Sequence, residues 1–195
     1  MSYDKLREHL ARREIGFVAF DTAAQAVDYL DKKIDQTTVG VGGSMTIRDI
    51  GLAERLATHN QLAWHWQEGS IEEANGAEVY LSSLNAIAET GELINIDGAG
   101  NRVAATAYGP KRVYFVIGKN KLAPDYEQAL HRARNVAGPK NAARFQLGTP
   151  CVTAAPHCHD CNHPERICRA LLVLWQKPRP VVEMEVILIE EDLGF

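Results

Sequence analysis

Short apolar runs alternate with amphipathic helical patterns along most of this 195-residue chain. Residues 17–20, 37–41 and 112–118 have the length of buried strands, and segments with helical periodicity lie between them. Strands that alternate with helices form parallel sheets, because each crossing helix returns the chain to the same end of the sheet. We therefore predict an α/β fold with a mostly parallel sheet covered by helices.

The C-terminal segment departs from this alternation. Two apolar stretches within residues 170–195 are separated by Lys177-Pro178-Arg179-Pro180, without a helical pattern between them. This pattern favours a C-terminal antiparallel hairpin at the edge of the sheet. A chain of this length suits one buried core better than two, so we expect residues 1–195 to form a single domain.

The charge and hydropathy of the chain narrow the function classes. The formal net charge is −4, and basic residues are scattered, so nucleic-acid binding has little electrostatic support. The N-terminal segment lacks the apolar core of a secretory signal, and no run approaches the roughly 18 to 20 apolar residues of a membrane span. We expect a cytoplasmic protein without a membrane span. The sequence does not decide between a monomer and a homo-oligomer.

A glycine-rich segment follows the strand predicted near residues 37–41. Glycines allow close backbone approach to a ligand, and the N–H groups at a helix start attract phosphate or carboxylate. The segment lacks the GxxxxGK loop and the full GxGxxG fingerprint, so a tight turn that needs glycine only for packing remains open. The candidate ligand-binding residues here are Gly40, Gly42, Gly43, Ser44 and Thr46.

An unusually polar stretch lies at residues 82–105, between apolar strands. Its side chains could converge at the carboxyl ends of the strands, where open α/β sheets bind ligands. The alternative is a polar hairpin whose Asn and Asp side chains complete turns. The candidate ligand-binding residues are Asn85, Thr90, Asp97, Asn101 and Arg102, and Glu89 is a candidate general base or nucleophile.

Two lysines follow the strand predicted at residues 112–118. Lys119 and Lys121 lie between this strand and the next helical pattern. Lysines at the carboxyl end of a strand can hold an anionic substrate, although most lysines in such loops are solvated. We keep both as candidates for binding an anion.

Four cysteines fall within eighteen residues, in the spacing Cys-x6-Cys-x2-Cys-x6-Cys: Cys151, Cys158, Cys161 and Cys168. Cytosolic thiols stay reduced, which favours metal ligation over disulfides. All-cysteine zinc sites usually pair two Cys-x2-Cys steps, and only one is present, so the spacing favours an iron-sulfur cluster, [4Fe-4S], over zinc. Zinc and a redox-active thiol site remain open. Arg166 and Arg169 could compensate the charge of a thiolate-bound cluster within this loop, residues 150–169.

Three segments, residues 82–105, 108–122 and 158–169, closely resemble the LUD-domain family, also called the lactate-utilisation protein C family. The resemblance implies the fold shared by ribose-5-phosphate isomerase and CoA transferases. It makes residues 39–46 similar to the phosphate loop of sugar-phosphate isomerases, and Lys121 similar to the lysine that follows a late strand in those enzymes. It also makes Glu89 similar to the glutamate of CoA transferases. The acidic pair of the isomerases is absent, since Gly100 and Asn101 follow Ala99.

The resemblance also implies a function. Members accompany iron-sulfur proteins in the oxidation of L-lactate to pyruvate. We therefore expect an accessory or catalytic component of an iron-sulfur-dependent L-lactate utilisation system. It would bind a small carboxylate or phosphate-bearing ligand and iron-sulfur partner proteins, with Glu89 and Lys121 as candidate catalytic residues. The alternatives are a non-redox ligand-binding, transferase or isomerase-like protein with a structural zinc, and a scaffold that docks an iron-sulfur partner.

Overall fold

The computed structural model describes residues 3–195 and contains two sheets. The six strands of the main sheet are β1 (Gly16–Phe20), β2 (Thr38–Val41), β3 (Gln61–Trp64), β4 (Val79–Ser82), β7 (Arg112–Gly118) and β10 (Glu183–Ile189). They lie in the order β1-β10-β7-β4-β2-β3, and every neighbouring pair is parallel. Their carboxyl ends therefore share one edge of the sheet.

The second sheet is small and mixed. Its strands are β5 (Ala86–Ala88), β6 (Leu93–Asp97), β8 (Leu122–Ala123) and β9 (Ala170–Leu174), in the order β8-β5-β6-β9. The β5–β6 and β6–β9 pairs are antiparallel, and β5–β8 is parallel. The polar stretch at residues 82–105 thus contains a hairpin, after which the chain continues into a helix that packs against β4 and β6.

The helices are α1 (Asp4–Arg12), α2 (Ala23–Lys33), α3 (Met45–Asp49), α4 (Leu52–Leu56), α5 (Ile71–Gly76), α6 (Asn101–Ala107), α7 (Tyr126–Arg132), α8 (Gly138–Arg144) and α9 (Pro150–Thr153). A π-helical segment, Ala133–Ala137, joins α7 to α8. Several helices begin where a polar side chain satisfies a free N–H group. Thr22 and Ser70 form capping boxes, and Ser44 and Asp125 cap α3 and α7. None of the helices within residues 3–195 is long and apolar enough to cross a membrane.

The main sheet is buried on both faces. One cluster of buried side chains includes Leu6 and Leu10 of α1, and a second includes Leu30 of α2 and Leu52 of α4. A third, smaller cluster joins the second sheet to α7. Burial of both faces explains the nearly continuous apolar strands of the sequence.

The predicted fold class is confirmed, whereas the predicted C-terminal hairpin is wrong. The two apolar stretches near the C-terminus become β9 and β10, and these strands belong to different sheets. Strand β10 lies between β1 and β7, parallel to both, and its Val186, Ile187, Leu188 and Ile189 are buried. A strand so apolar gains more free energy in the interior of a sheet than at an edge, which is the physical reason for the difference.

Candidate functional site

The carboxyl ends of the parallel strands border a cavity of about 470 Å³, which we call the strand-end cavity. Open parallel sheets usually bind ligands at this edge, because loops there diverge and leave a crevice. Residues that follow β2, β3, β4 and β7 form one part of the lining. Strand β6, the start of the helix after it, α8, the cysteine loop and Phe195 form most of the rest. The polar side chains of the lining include Ser44, His65, Ser83, Asp97, Asn101, Arg102, Lys121, Arg144, Arg166 and Arg169.

Lys121 is a buried amine in this cavity. Its residue is 4% exposed, and Nζ donates hydrogen bonds to Ser83 Oγ at 3.0 Å and to Thr46 Oγ1 at 3.4 Å. Lys121 forms no ion pair with any other residue in the described part of the chain. Burial, together with the positive charges of Arg132 and Arg102, lowers the pKa of Lys121 to about 7. A substantial fraction of this amine is therefore uncharged near neutral pH.

Asp97 fixes the position of Arg102. The Asp97 carboxylate accepts hydrogen bonds from the backbone N–H groups of Gly98 and Arg102, both at 2.7 Å, and of Val103 at 3.3 Å. The Arg102 guanidinium donates to the carbonyl oxygen of Ile96 at 2.6 Å. Backbone donors compensate the Asp97 charge, and Arg102 lines the cavity directly after this hydrogen-bonded turn.

The cavity carries an excess of positive charge. Its lining contains five lysine and arginine residues, Arg102, Lys121, Arg144, Arg166 and Arg169, and two acidic residues, Asp97 and Glu165. Glu165 accepts a hydrogen bond from the backbone N–H of Gly148, so it is also partly engaged. A cleft with this imbalance concentrates small anions.

Asn101 and His65 present polar atoms that the protein itself does not satisfy. Asn101 lies beside the Tyr80 hydroxyl, but within residues 3–195 neither Asn101 Nδ2 nor Tyr80 Oη has a well-formed hydrogen bond. His65 Nδ1 is likewise buried without a partner in that range. Burial lowers the pKa of His65, so the ring is neutral near pH 7. Unsatisfied buried polar groups are costly, and the residues Asn101 and His65 both line the strand-end cavity.

An aromatic pair borders one side of the cavity. The Arg144 guanidinium lies over the Trp66 ring, 5.0 Å from its centroid, and over the Phe145 ring at 4.0 Å. Trp66 also stacks on the buried Trp64, with 5.5 Å between ring centroids. Stacking on both aromatic rings restricts the orientation of Arg144 and keeps its charge at the cavity.

The glycine segment serves both packing and the cavity. A side chain on Gly40 would place its Cβ 1.9 Å from the Ala74 carbonyl oxygen, so Gly40 is required by packing against α5. A Cβ on Gly42 would lie 2.9 Å from Arg102 Cγ, so this glycine makes room for Arg102. Ser44 Oγ accepts a hydrogen bond from the N–H of Ile47, and its hydroxyl therefore caps α3.

The predicted ligand-binding residues separate into two groups. Those that line the strand-end cavity are Gly43, Ser44, Asn85, Asp97, Asn101, Arg102 and Lys121; Gly42 and Thr46 lie directly behind Arg102 and Lys121. Gly40, Glu89, Thr90 and Lys119 do not line it. Glu89 and Thr90 belong to the β5–β6 turn, where their carbonyl oxygens accept hydrogen bonds from His9 and Arg13. Lys119 is exposed.

Several cavity residues were not among the sequence predictions. Ser83 and the His65–Trp66 pair follow β4 and β3 directly, so the same strand-end rule that selected Ser44 could have found them. Arg144 reaches the cavity from α8, and no local signal in the sequence distinguishes it from other surface arginines.

A second cavity, of about 310 Å³, is bordered by all four cysteines, and we call it the thiol cavity. Arg134 Nη2 donates a hydrogen bond to Cys158 Sγ at 3.4 Å, and this contact raises the pKa of the guanidinium. Arg166 donates to the carbonyl oxygens of Cys161 at 2.6 Å and Cys168 at 2.8 Å. Across the described chain, no three His, Cys, Asp or Glu side chains converge closely enough to hold one metal ion.

The two cavities are adjacent. Ile96, Arg166 and Arg169 line both of them. Arg169 donates to the carbonyl oxygens of Arg166 and Pro164, so the two arginines form one hydrogen-bonded unit within the cysteine loop. The wall between the strand-end cavity and the four cysteines is therefore made of two arginines and one apolar side chain.

These features define an α/β protein with a cavity of cationic lining at the carboxyl edge of a parallel sheet and a cysteine-lined cavity beside it. The family model for the LUD domain matches residues 3–189, and the chain belongs to the LUD-domain family. This confirms the resemblance inferred from the sequence. No functionally curated protein matches the chain.

A solved structure supports the same fold. The crystal structure of a DUF162 family protein from Deinococcus radiodurans at 1.70 Å resolution is similar, with a TM-score of 0.57 and 12% sequence identity. The match covers 97% of this chain and 99% of the other. At this identity the likeness establishes the fold alone.

Proposed function

We propose that this protein is a component of an iron-sulfur-dependent L-lactate utilisation system. It binds a small carboxylate in the strand-end cavity, and its four cysteines hold a [4Fe-4S] cluster beside that ligand. The observation that carries the proposal is the shared wall of Ile96, Arg166 and Arg169 between the two cavities. Membership of the LUD family, which is linked to lactate utilisation in general, supports the choice of ligand and system.

The composition of the strand-end cavity supports an anionic ligand. Arg102 and Lys121 supply positive charge to the lining, which also contains the amide side chain of Asn101. A carboxylate accepts hydrogen bonds from several such donors at once, and charge-assisted hydrogen bonds are stronger than neutral ones. A lactate or pyruvate carboxylate would bind here, and the neutral His65 would contact the remaining polar group of the ligand.

The thiol cavity supports one group held by all four cysteines. All four cysteine residues border the same space. Four cysteines are the ligand set of a [4Fe-4S] cluster. Arg134, Arg166 and Arg169 line the same space and would offset the negative charge of four thiolates. When bound, the cluster supplies one-electron transfer.

The cluster is tested by anaerobic purification and reconstitution with iron and sulfide. We expect four irons and four acid-labile sulfides per chain, with visible charge-transfer absorbance. Cys161→Ser should lose most of this iron. His157→Ser is the matched control, because His157 neighbours Cys158 but does not line the thiol cavity. A protein that takes up one zinc and no iron under these conditions would contradict the iron-sulfur proposal.

The ligand is tested separately by calorimetry with L-lactate, pyruvate and inorganic phosphate. Arg102→Gln should weaken binding of the carboxylates by about tenfold or more, equivalent to at least about 1.4 kcal/mol. Arg12→Gln is the control, because Arg12 pairs with Glu8 on the exposed side of α1. Equal affinities of the two variants would place the ligand outside the strand-end cavity. Preference for phosphate over both acids would contradict the carboxylate assignment.

A further inference from the structure

Lys121 differs from Lys33, which is partly buried. Lys33 Nζ lies 2.7 Å from carboxylate oxygens of both Glu183 and Glu185, and its pKa is raised through these contacts. Lys121 is more deeply buried, but within residues 3–195 its Nζ forms hydrogen bonds only with the hydroxyl groups of Ser83 and Thr46. A lysine that served packing alone would be better stabilised by a carboxylate, as Lys33 is. The environment of Lys121 therefore favours an uncharged amine that faces a ligand cavity.

We propose that Lys121 forms an imine with the carbonyl carbon of a 2-oxo acid bound in the strand-end cavity. The inference rests on the proposed carboxylate ligand and names the reactive group of that ligand. The cationic lining, which includes Arg102, favours a ligand with a carboxylate. The Lys121 amine favours a ligand with a carbonyl group next to that carboxylate. L-Lactate has the same carboxylate but no carbonyl, so it binds without forming this bond.

The chemistry needs no reagent beyond the protein, the ligand and a proton from water. The lone pair of Lys121 Nζ attacks the carbonyl carbon, a C–N bond forms, and the carbonyl oxygen takes up a proton. The C–O bond then breaks, water leaves, and a protonated imine remains, so that amine, ketone and one proton give an iminium and water. Ser83 Oγ and Thr46 Oγ1, 3.4 Å apart, accept hydrogen bonds from Nζ and are placed to pass protons between nitrogen and oxygen.

Burial provides the reactive form of the amine. With a pKa of about 7, roughly half of the Lys121 side chains are uncharged at pH 7. For an ordinary exposed lysine, the uncharged fraction at this pH is below about 1%. The positive charges of Arg132 and Arg102 act in the same direction as burial. The C-terminal segment adds shielding, since a Cβ on Gly194 would lie 3.2 Å from Lys121 Nζ.

The test is reductive trapping of the full chain, purified anaerobically, with pyruvate and sodium cyanoborohydride. Peptide mass spectrometry should find a carboxyethyl group on Lys121. Lys119, which is exposed and two residues away, is the internal control. We expect labelling of Lys121 to exceed that of Lys119 by on the order of a hundredfold or more. Replacement of pyruvate by L-lactate should abolish the label.

Two variants sharpen the result. Lys119→Arg should retain the label in full, and Lys121→Arg should lose it while keeping a positive charge in the cavity. Because Lys121→Arg must fit a larger group into a buried position, its folding is checked by thermal denaturation. If Lys121→Arg does not fold, the position of the label in the native protein still identifies the reactive lysine.

The possible outcomes distinguish this inference from the proposed function. Pyruvate that binds by calorimetry but leaves Lys121 unlabelled overturns the imine and leaves carboxylate binding intact. Labels spread evenly over exposed lysines also overturn it, because they reflect solution chemistry. Absence of binding by both pyruvate and L-lactate overturns the proposed ligand and this inference together.

Discussion

Arg166 and Cys161 connect the two cavities: Arg166 Nη1 donates a hydrogen bond to the Cys161 carbonyl oxygen at 2.6 Å, and Arg166 lines both cavities. The same guanidinium donates to the Cys168 carbonyl oxygen at 2.8 Å. One side chain thus forms hydrogen bonds within the cysteine loop and contributes positive charge to the strand-end cavity. Any change in the loop that moves Arg166 will also change the electrostatic potential that an anion meets.

Replacement of Arg166 should therefore affect both cavities at once. We expect Arg166→Gln to lower the iron content after reconstitution and to weaken carboxylate binding by about tenfold, since a charged donor is lost from each. Iron analysis and calorimetry on the same preparation measure the two effects. Arg12→Gln should leave both unchanged. Loss of iron with unaltered ligand affinity would mean that Arg166 supports only the loop.

The burial of Lys121 predicts an unusual dependence of stability on pH. The pKa of Lys121 is about 7 in the folded protein and near its ordinary value of 10.5 in the unfolded chain. Between these values the unfolded chain binds more protons, so burial of Lys121 destabilises the fold fully below pH 7 and progressively less as the pH rises. Between pH 7 and pH 9.5, the free energy of unfolding of the native protein should rise by about 3 kcal/mol relative to that of Lys121→Met.

Urea unfolding at the two pH values measures this difference, and Lys33→Met is a control of opposite sign. The pKa of Lys33 is raised in the folded protein by Glu183, Glu185 and Tyr29, although burial acts against them. Its contribution is complete below the unfolded value of 10.5 and is lost only at higher pH. Lys33→Met should therefore be less stable than the native protein by a nearly constant amount over the same range. Parallel curves for Lys121→Met and the native protein would show that Lys121 is charged when folded.

Local sequence signals predicted the parts of the structure that depend on local interactions. The alternation of apolar runs with helical patterns predicted the parallel sheet, and all neighbouring strands of the main sheet are parallel. The strand-end rule brought Ser44 and Lys121 to one edge, because parallel strands carry their following loops to the same side. These inferences needed only the order and type of the elements.

Features that depend on distant contacts were not predictable from local patterns. A proline-containing connection before β10 suits a hairpin and a crossover equally, and the position of β10 is decided by its pairing with β1 and β7. Glu89 was chosen by residue type, yet the β5–β6 turn carries it away from the strand-end cavity. The convergence of Arg144 on Trp66 likewise requires the packing of α8.

Gly42 should be essential for the ligand cavity although it contacts no ligand itself. A Cβ at this position would lie 2.8 Å from Tyr80 Oη and 2.9 Å from Arg102 Cγ. Tyr80 is buried, so Arg102 must move. We expect Gly42→Ala to cost about 1–3 kcal/mol of stability and to weaken carboxylate binding. Gly76→Ala is the control, since no heavy atom lies within 4 Å of its Cβ. Equal stability and equal carboxylate affinity of the two variants would show that Gly42 does not control the position of Arg102.

Asp97 offers a test of whether position or charge governs the affinity of the cavity. Asp97→Asn removes a negative charge from the lining, which by electrostatics alone would strengthen anion binding. It also replaces an oxygen that accepts hydrogen bonds from Arg102 N and Val103 N, or turns a donor toward Gly98 N. Because one buried N–H then lacks an acceptor, we expect a loss of about 1–3 kcal/mol of stability.

We expect the positional effect to prevail, and Asp97→Asn to bind carboxylates more weakly, because the native carboxylate is 7% exposed and already engaged by three N–H groups. Asp125→Asn is the matched control: Asp125 caps α7 through the N–H of Gln128, and Asn caps a helix equally well. Calorimetry measures the change in carboxylate affinity of both variants, and urea unfolding measures their change in stability. Tighter binding by Asp97→Asn would show that its charge repels the ligand more than its hydrogen bonds orient Arg102.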